Sequence, residues 1–84
     1  VTAAPWLDEA VEAILAAETE ADLTRAVGRV LRGELPAGWA VATLEGHLSP
    51  YEWRELADAG ERPNTLPQLI TARRRIIRQR VAAK

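Results

Sequence analysis

The chain predicts an all-α fold, one small bundle of about five helices with the last one longest, and three observations carry that expectation. Apolar residues recur at i, i+3, i+4 spacing through most of the 84 residues, the period of a helix with one buried face. No segment alternates polar and apolar residues at period two, so a strand would lack a second strand to pair with. Start and stop signals at Thr19, Ser49, Gly60 and Thr65 fall between the periodic segments, as they must if those segments are helices. Residues 1–84 make a single helical domain, and a chain of this length buries only roughly 60–65% of its unfolded surface, so the core is thin.

Helix one is expected from Pro5 to about Glu18. Leu7, Ala10, Val11, Ile14 and Leu15 form its inner stripe, and Asp8, Glu9 and Glu12 fall in its first two turns, where the helix dipole favours acids. Thr19 with Asp22 resembles a capping box opening helix two, whose stripe is Leu23, Ala26, Val27, Val30 and Leu31, with Arg25, Arg29 and Arg32 opposite. Gly33 suits the C′ position that ends it near Arg32. A break this sharp makes the first two helices an antiparallel hairpin. GELPAG, residues 33–38, is a turn, and Pro36 is placed to begin helix three, a short segment through Trp39 to His47. Ser49, Pro50 and Glu52 supply N-cap, N1 and N3 of helix four, which turns Trp53, Leu56 and Ala57 inward and stops at Gly60.

The last helix, Thr65 to Lys84, carries most of the positive charge. Thr65 and Gln68 read as a capping box, with Pro67 in the first turn, where the N–H it lacks would have no helical partner. Leu66, Leu69, Ile70, Ile76, Ile77 and Val81 share one arc, while Arg74, Arg75 and Arg78 share another. Arg73 and Arg80 project into the apolar arc one heptad apart. They are expected to snorkel, to pair with acids of helix one or two, or to face a second copy or a partner chain. The heptad series Leu66, Ile70, Arg73, Ile77, Arg80, Lys84 suits a helix–helix seam whose polar positions set register.

The net charge of −1 hides a polarity: residues 1–48 hold eight acids and three arginines, whereas residues 49–84 hold four acids and eight bases. Internal pairing of the two halves is the simpler consequence. The chain has no cysteine, which excludes disulfides and thiolate chemistry. No apolar run approaches the ~18–20 residues of a membrane span, and the first ten residues carry acids where a secretory leader carries bases, so a cytoplasmic protein is expected.

Chemistry is sparse. His47 is the only histidine and has no metal-ligand spacing around it, and the carboxylates near helix starts are what solvated helix faces provide anyway. The glycines form no nucleotide-binding loop. The inventory predicts no enzyme, no cofactor, no metal and no small-molecule substrate. Two readings stand for the last helix. One is a small regulatory or adaptor module that binds a protein partner or a second copy, with Arg73, Arg74, Arg75, Arg78, Arg80 and Trp39 as binding residues. Trp39, on a short glycine-flanked segment, is the tryptophan expected at the surface as a hot spot. The other is a small DNA- or RNA-binding protein that holds phosphates through the same arginines. A helix-turn-helix fits poorly, since the N-terminal part of the recognition helix would offer only Gln68 to a base edge.

Overall fold

The structure, a computed structural model, describes residues 5–33 and 35–83. Lys84, the last member of the heptad series, and Glu34 of the expected turn lie outside the described residues. Four α-helices follow in order: α1 (Pro5–Ala16), α2 (Glu20–Arg32), α3 (Pro50–Asp58) and α4 (Leu66–Ala82), with a single 3-10 turn at Trp39–Val41 between α2 and α3. Among the described residues the only β pairing is an isolated antiparallel bridge between Thr43 and Thr65. The fold is all-α, with four α-helices among the described residues rather than about five.

α4 is the hub, packing against α1, α2 and the 3-10 turn. Its Leu66, Leu69, Ala72, Ile76 and Ile77 are buried and join Leu7, Val11 and Ile14 of α1 and Leu23 of α2 in one core. Val81 departs from the expected arc: it is 68% exposed because the final turn of α4 runs past the last core layer. Leu31 departs likewise at 48% exposed, so the α2 stripe narrows to Leu23 and Ala26 with Val27 and Val30 beside them.

The caps explain where each helix begins and ends. Thr19 Oγ1 accepts from the Asp22 amide at 3.1 Å. At α3 both halves of the box form, the Glu52 amide donating to Ser49 Oγ at 3.2 Å and the Ser49 amide to Glu52 Oε1 at 2.7 Å. The other end of α3 closes with the Gly60 amide bonded to the Ala57 carbonyl and the Glu61 amide to the Leu56 carbonyl, both at 2.9 Å. That pair is a Schellman motif, and it requires the left-handed φ of +79° found at Gly60. Gly33 ends α2 in extended geometry, with φ −73°, so it makes no use of a glycine's freedom.

Two local expectations are corrected together. The segment after Gly38 does not become an α-helix, because the chain enters it through a turn with Gly38 at φ +80° and leaves at once in the extended conformation of Ala42. It then pairs with the start of α4: the Leu44 amide donates to the Asn64 carbonyl at 2.8 Å, and Thr65 lies opposite Thr43. Pro36 accordingly belongs to a turn, its carbonyl accepting from the Trp39 amide. Thr65 holds the N-cap position of α4 without a side-chain cap bond. Gln68 does reach back, but to the Asn64 amide, at 2.8 Å. Leu44, delivered by this short extended segment, is fully buried and fills the core as one layer of a helix would.

Candidate functional site

The five arginines of α4 meet five different surroundings. Arg73 is buried at 6% exposure, and its Nε and Nη2 donate to the carbonyl of Ala17 at 3.0 and 2.7 Å. Ala17 follows the last residue of α1, so the guanidinium sits at the negative end of that helix and satisfies a carbonyl the helix leaves open. Burial, and after it the nearby Arg80, lower the proton affinity of Arg73 from the usual arginine range, against the opposing pull of Glu55 and Glu18. This arrangement answers the puzzle of a cation inside the apolar arc by a route other than the three expected. Neither a carboxylate partner nor snorkelling is needed; a backbone carbonyl of the same chain takes both donors.

The remaining cations lie outside the core. Arg80 Nη2 lies 3.4 Å from Glu55 of α3, Arg78 Nε is 2.8 Å from Glu20 of α2, and Arg75 Nη1 is 3.1 Å from Glu61 in the loop after α3. Arg74 is half-buried and has no ion-pair partner among the described residues. Pairs this exposed are worth roughly 0–1 kcal/mol each, so their main effect is neutralisation. α4 spreads its charge over acids from three parts of the chain, but only Arg78–Glu20 joins the basic half to the acidic one; Arg75 and Arg80 find their acids within the basic half itself.

A groove runs beside the buried Arg73. About 390 Å³ in volume, it is bounded by Leu15 of α1, Tyr51, Glu55 and Leu56 of α3, and Arg73 and Ile76 of α4. Ser49 and Glu52 complete its edge. Its floor is apolar, its α3 rim is acidic, and Tyr51 stands over it 74% exposed. Trp39 is not the exposed aromatic: it is half-buried and packs against the core, as do Trp6 and Trp53. The 3-10 turn directs it inward, leaving its neighbour Val41 78% exposed. His47 accounts for itself structurally, its Nδ1 lying 2.7 Å from Asp8 Oδ1, which ties the turn before α3 to the start of α1.

Of the residues singled out from sequence, Arg73 lines this groove and Arg80 touches it only through its ion pair with Glu55; Arg74, Arg75 and Arg78 lie apart from it, and Trp39 packs against the core. Tyr51 and Glu55 escaped the sequence reading. Their signal was present, since positions 51 and 55 form an i, i+4 pair displaced from the inward-facing Trp53 and Leu56. Comparison of the chain with protein-family models, with curated proteins and with solved structures returns no match.

Proposed function

We propose that this chain is a small protein-interaction module of regulatory or adaptor type, and that it engages a helical segment of a partner protein at the groove between α3 and α4. The observation that carries the reading is Tyr51, a large aromatic left 74% exposed at the lip of an apolar groove. Tyr is among the residues that anchor protein interfaces, because it buries much area at little entropic cost. The acidic rim of Glu52 and Glu55 favours a partner helix with an apolar face flanked by cations. Arg80, held by Glu55, stands beside the same groove, and the exposed final turn of α4 extends the surface available to a partner.

The nucleic-acid reading draws less support. With Arg75, Arg78 and Arg80 paired in the chain and Arg73 buried on a backbone carbonyl, Arg74 is the one α4 arginine that is neither ion-paired nor buried among the described residues. A single phosphate contact gives a salt slope of only about −0.9 in log K.

Selection of a displayed library of amphipathic helical peptides against the intact chain tests the proposal. The expected result is a set of cationic amphipathic peptides whose affinity falls by about tenfold or more with Tyr51→Ala, a truncation that leaves the core untouched. Failure to recover any such peptide, or recovery of peptides indifferent to Tyr51, would remove the groove from consideration.

A further inference from the structure

A second surface, independent of α4, lies on the hairpin of α1 and α2. Two shallow hollows adjoin there. One, of about 330 Å³, includes Trp6, Glu9 and Ala13 of α1 with Arg29 and Val30 of α2 and reaches Leu35. The other, of about 240 Å³, continues from Ala13 and Arg29 to Ala17 and Asp22. Trp6 is level with Val30, and Ala17 with Asp22, so the two helices run antiparallel along one trough. Trp6 and Val30 are half-buried and pack on the core from beneath it.

The charges on its walls are opposite. Glu9 stands on the α1 side and Arg29 on the α2 side; Asp22 and Arg25, also on the α2 wall, are paired with each other, so Arg29 is that wall's unmatched charge among the described residues. Glu9 and Arg29 are exposed and border the same hollow, yet neither has an ion-pair partner among the described residues. This contrasts with α4, where three of the arginines are matched in the chain. An acidic wall and a basic wall separated by an apolar floor form a surface complementary to itself.

We infer that this face binds a second copy of the chain, α1 of each protomer lying over α2 of the other. The charge pattern selects the symmetry. A two-fold axis running along the trough brings Glu9 of one protomer opposite Arg29 of its partner, twice over, as an isologous interface requires. The alternative two-fold, across the trough, would set α1 on α1 and α2 on α2, acid against acid and arginine against arginine, a juxtaposition that costs rather than contributes. Alanines along the floor let the helix backbones approach closely, and Trp6 and Val30 supply apolar area at the end of the seam.

Charge-reversed variants test the pairing by sedimentation velocity over a range of concentrations. The wild type should associate reversibly to a dimer, and Glu9→Arg and Arg29→Glu should each weaken self-association by about tenfold or more. Mixed in equal amounts, the two single variants should form a one-to-one heterodimer, because the Glu9 and Arg29 that each variant retains then meet as in the wild type, and the two substituted positions meet as the same pair with its sense reversed. A misfolded variant would not recover on mixing, so that arm separates lost pairing from lost structure. A wild type that stays monomeric at the highest concentration, single variants that dimerise as well as wild type, or a mixture that does not associate would each overturn the inference. Capture of a different protein on this face in place of a second copy would overturn it too. Tyr51→Ala, which removes the anchor of the α3–α4 groove, should leave dimerisation unchanged, so the two surfaces fail or stand separately.

Discussion

Arg73 and Arg80 stand seven residues apart on one stripe of α4, yet one is sealed in the core and the other is half in solvent. The difference comes from what lies opposite: the open end of α1 faces Arg73, whereas α3 and its Glu55 face Arg80. An arginine fork that donates both its bonds to one carbonyl resembles a cap more than a salt bridge, and its removal strands that carbonyl in an almost fully buried residue. Arg73→Met, which keeps much of the volume, should therefore lower unfolding stability by about 2 kcal/mol, read as a shift of the denaturant midpoint with unchanged slope. Arg80→Met, which breaks only an exposed pair, should cost less than about 1 kcal/mol. Equal midpoints for the two variants would mean that the Ala17 contact does not hold α1 to α4. The sequence announced a problem at position 73 through the helical wheel, but it could not announce the solution, because the acceptor is a backbone carbonyl 56 residues away and backbone carbonyls have no side-chain signature.

At the scale of the elements, the helix boundaries followed from caps that are local by nature. Ser49 with Glu52 and the glycine at position 60 act within a few residues of themselves, so their patterns survive in the chain as written. The start of α4 at Thr65 followed too, but its side-chain cap bond and the helix expected from Trp39 did not, because the two segments claim each other: the Thr43–Thr65 bridge and the Leu44–Asn64 bond are contacts between segments, invisible to any local rule. A lone bridge also evades a search for alternating strands. Three glycines give a direct check on this account. Gly60→Ala must force an alanine to φ +79° and should cost about 1 kcal/mol. Gly28→Ala, inside α2 with nothing nearer than 3.9 Å to the new methyl, should stabilise by about 0.5–1 kcal/mol through helix propensity. Gly33→Ala, at an ordinary φ, should fall between them. Thermal unfolding of the three variants ranks them, and a stabilising Gly60→Ala would refute the Schellman assignment.

The whole molecule is organised around a basic helix, three of whose five arginines are ion-paired with acids of other segments. The sequence shows the opposite charges of its two halves and the position of each arginine on the wheel; which acid each arginine meets depends on how α2, α3 and the loop after α3 are brought around α4, a matter of tertiary packing. The groove beneath Tyr51 is illegible in the sequence for the same reason, since its walls come from three helices and a groove is a relation between them. Among the described residues no helix is long and apolar enough to cross a membrane. The proposed protein-binding role leaves α4 to serve the fold, with three of its five arginines ion-paired within the chain. Fluorescence anisotropy with labelled mixed-sequence DNA and RNA, titrated at low and at moderate salt, tests that claim most directly. No saturable binding is expected at about 0.15 M salt, and at low salt a dependence no steeper than about −1 in log K. Saturable binding at moderate salt with a slope near −3, abolished by joint replacement of Arg74, Arg75 and Arg78 with Ala in a chain that still folds, would contradict it.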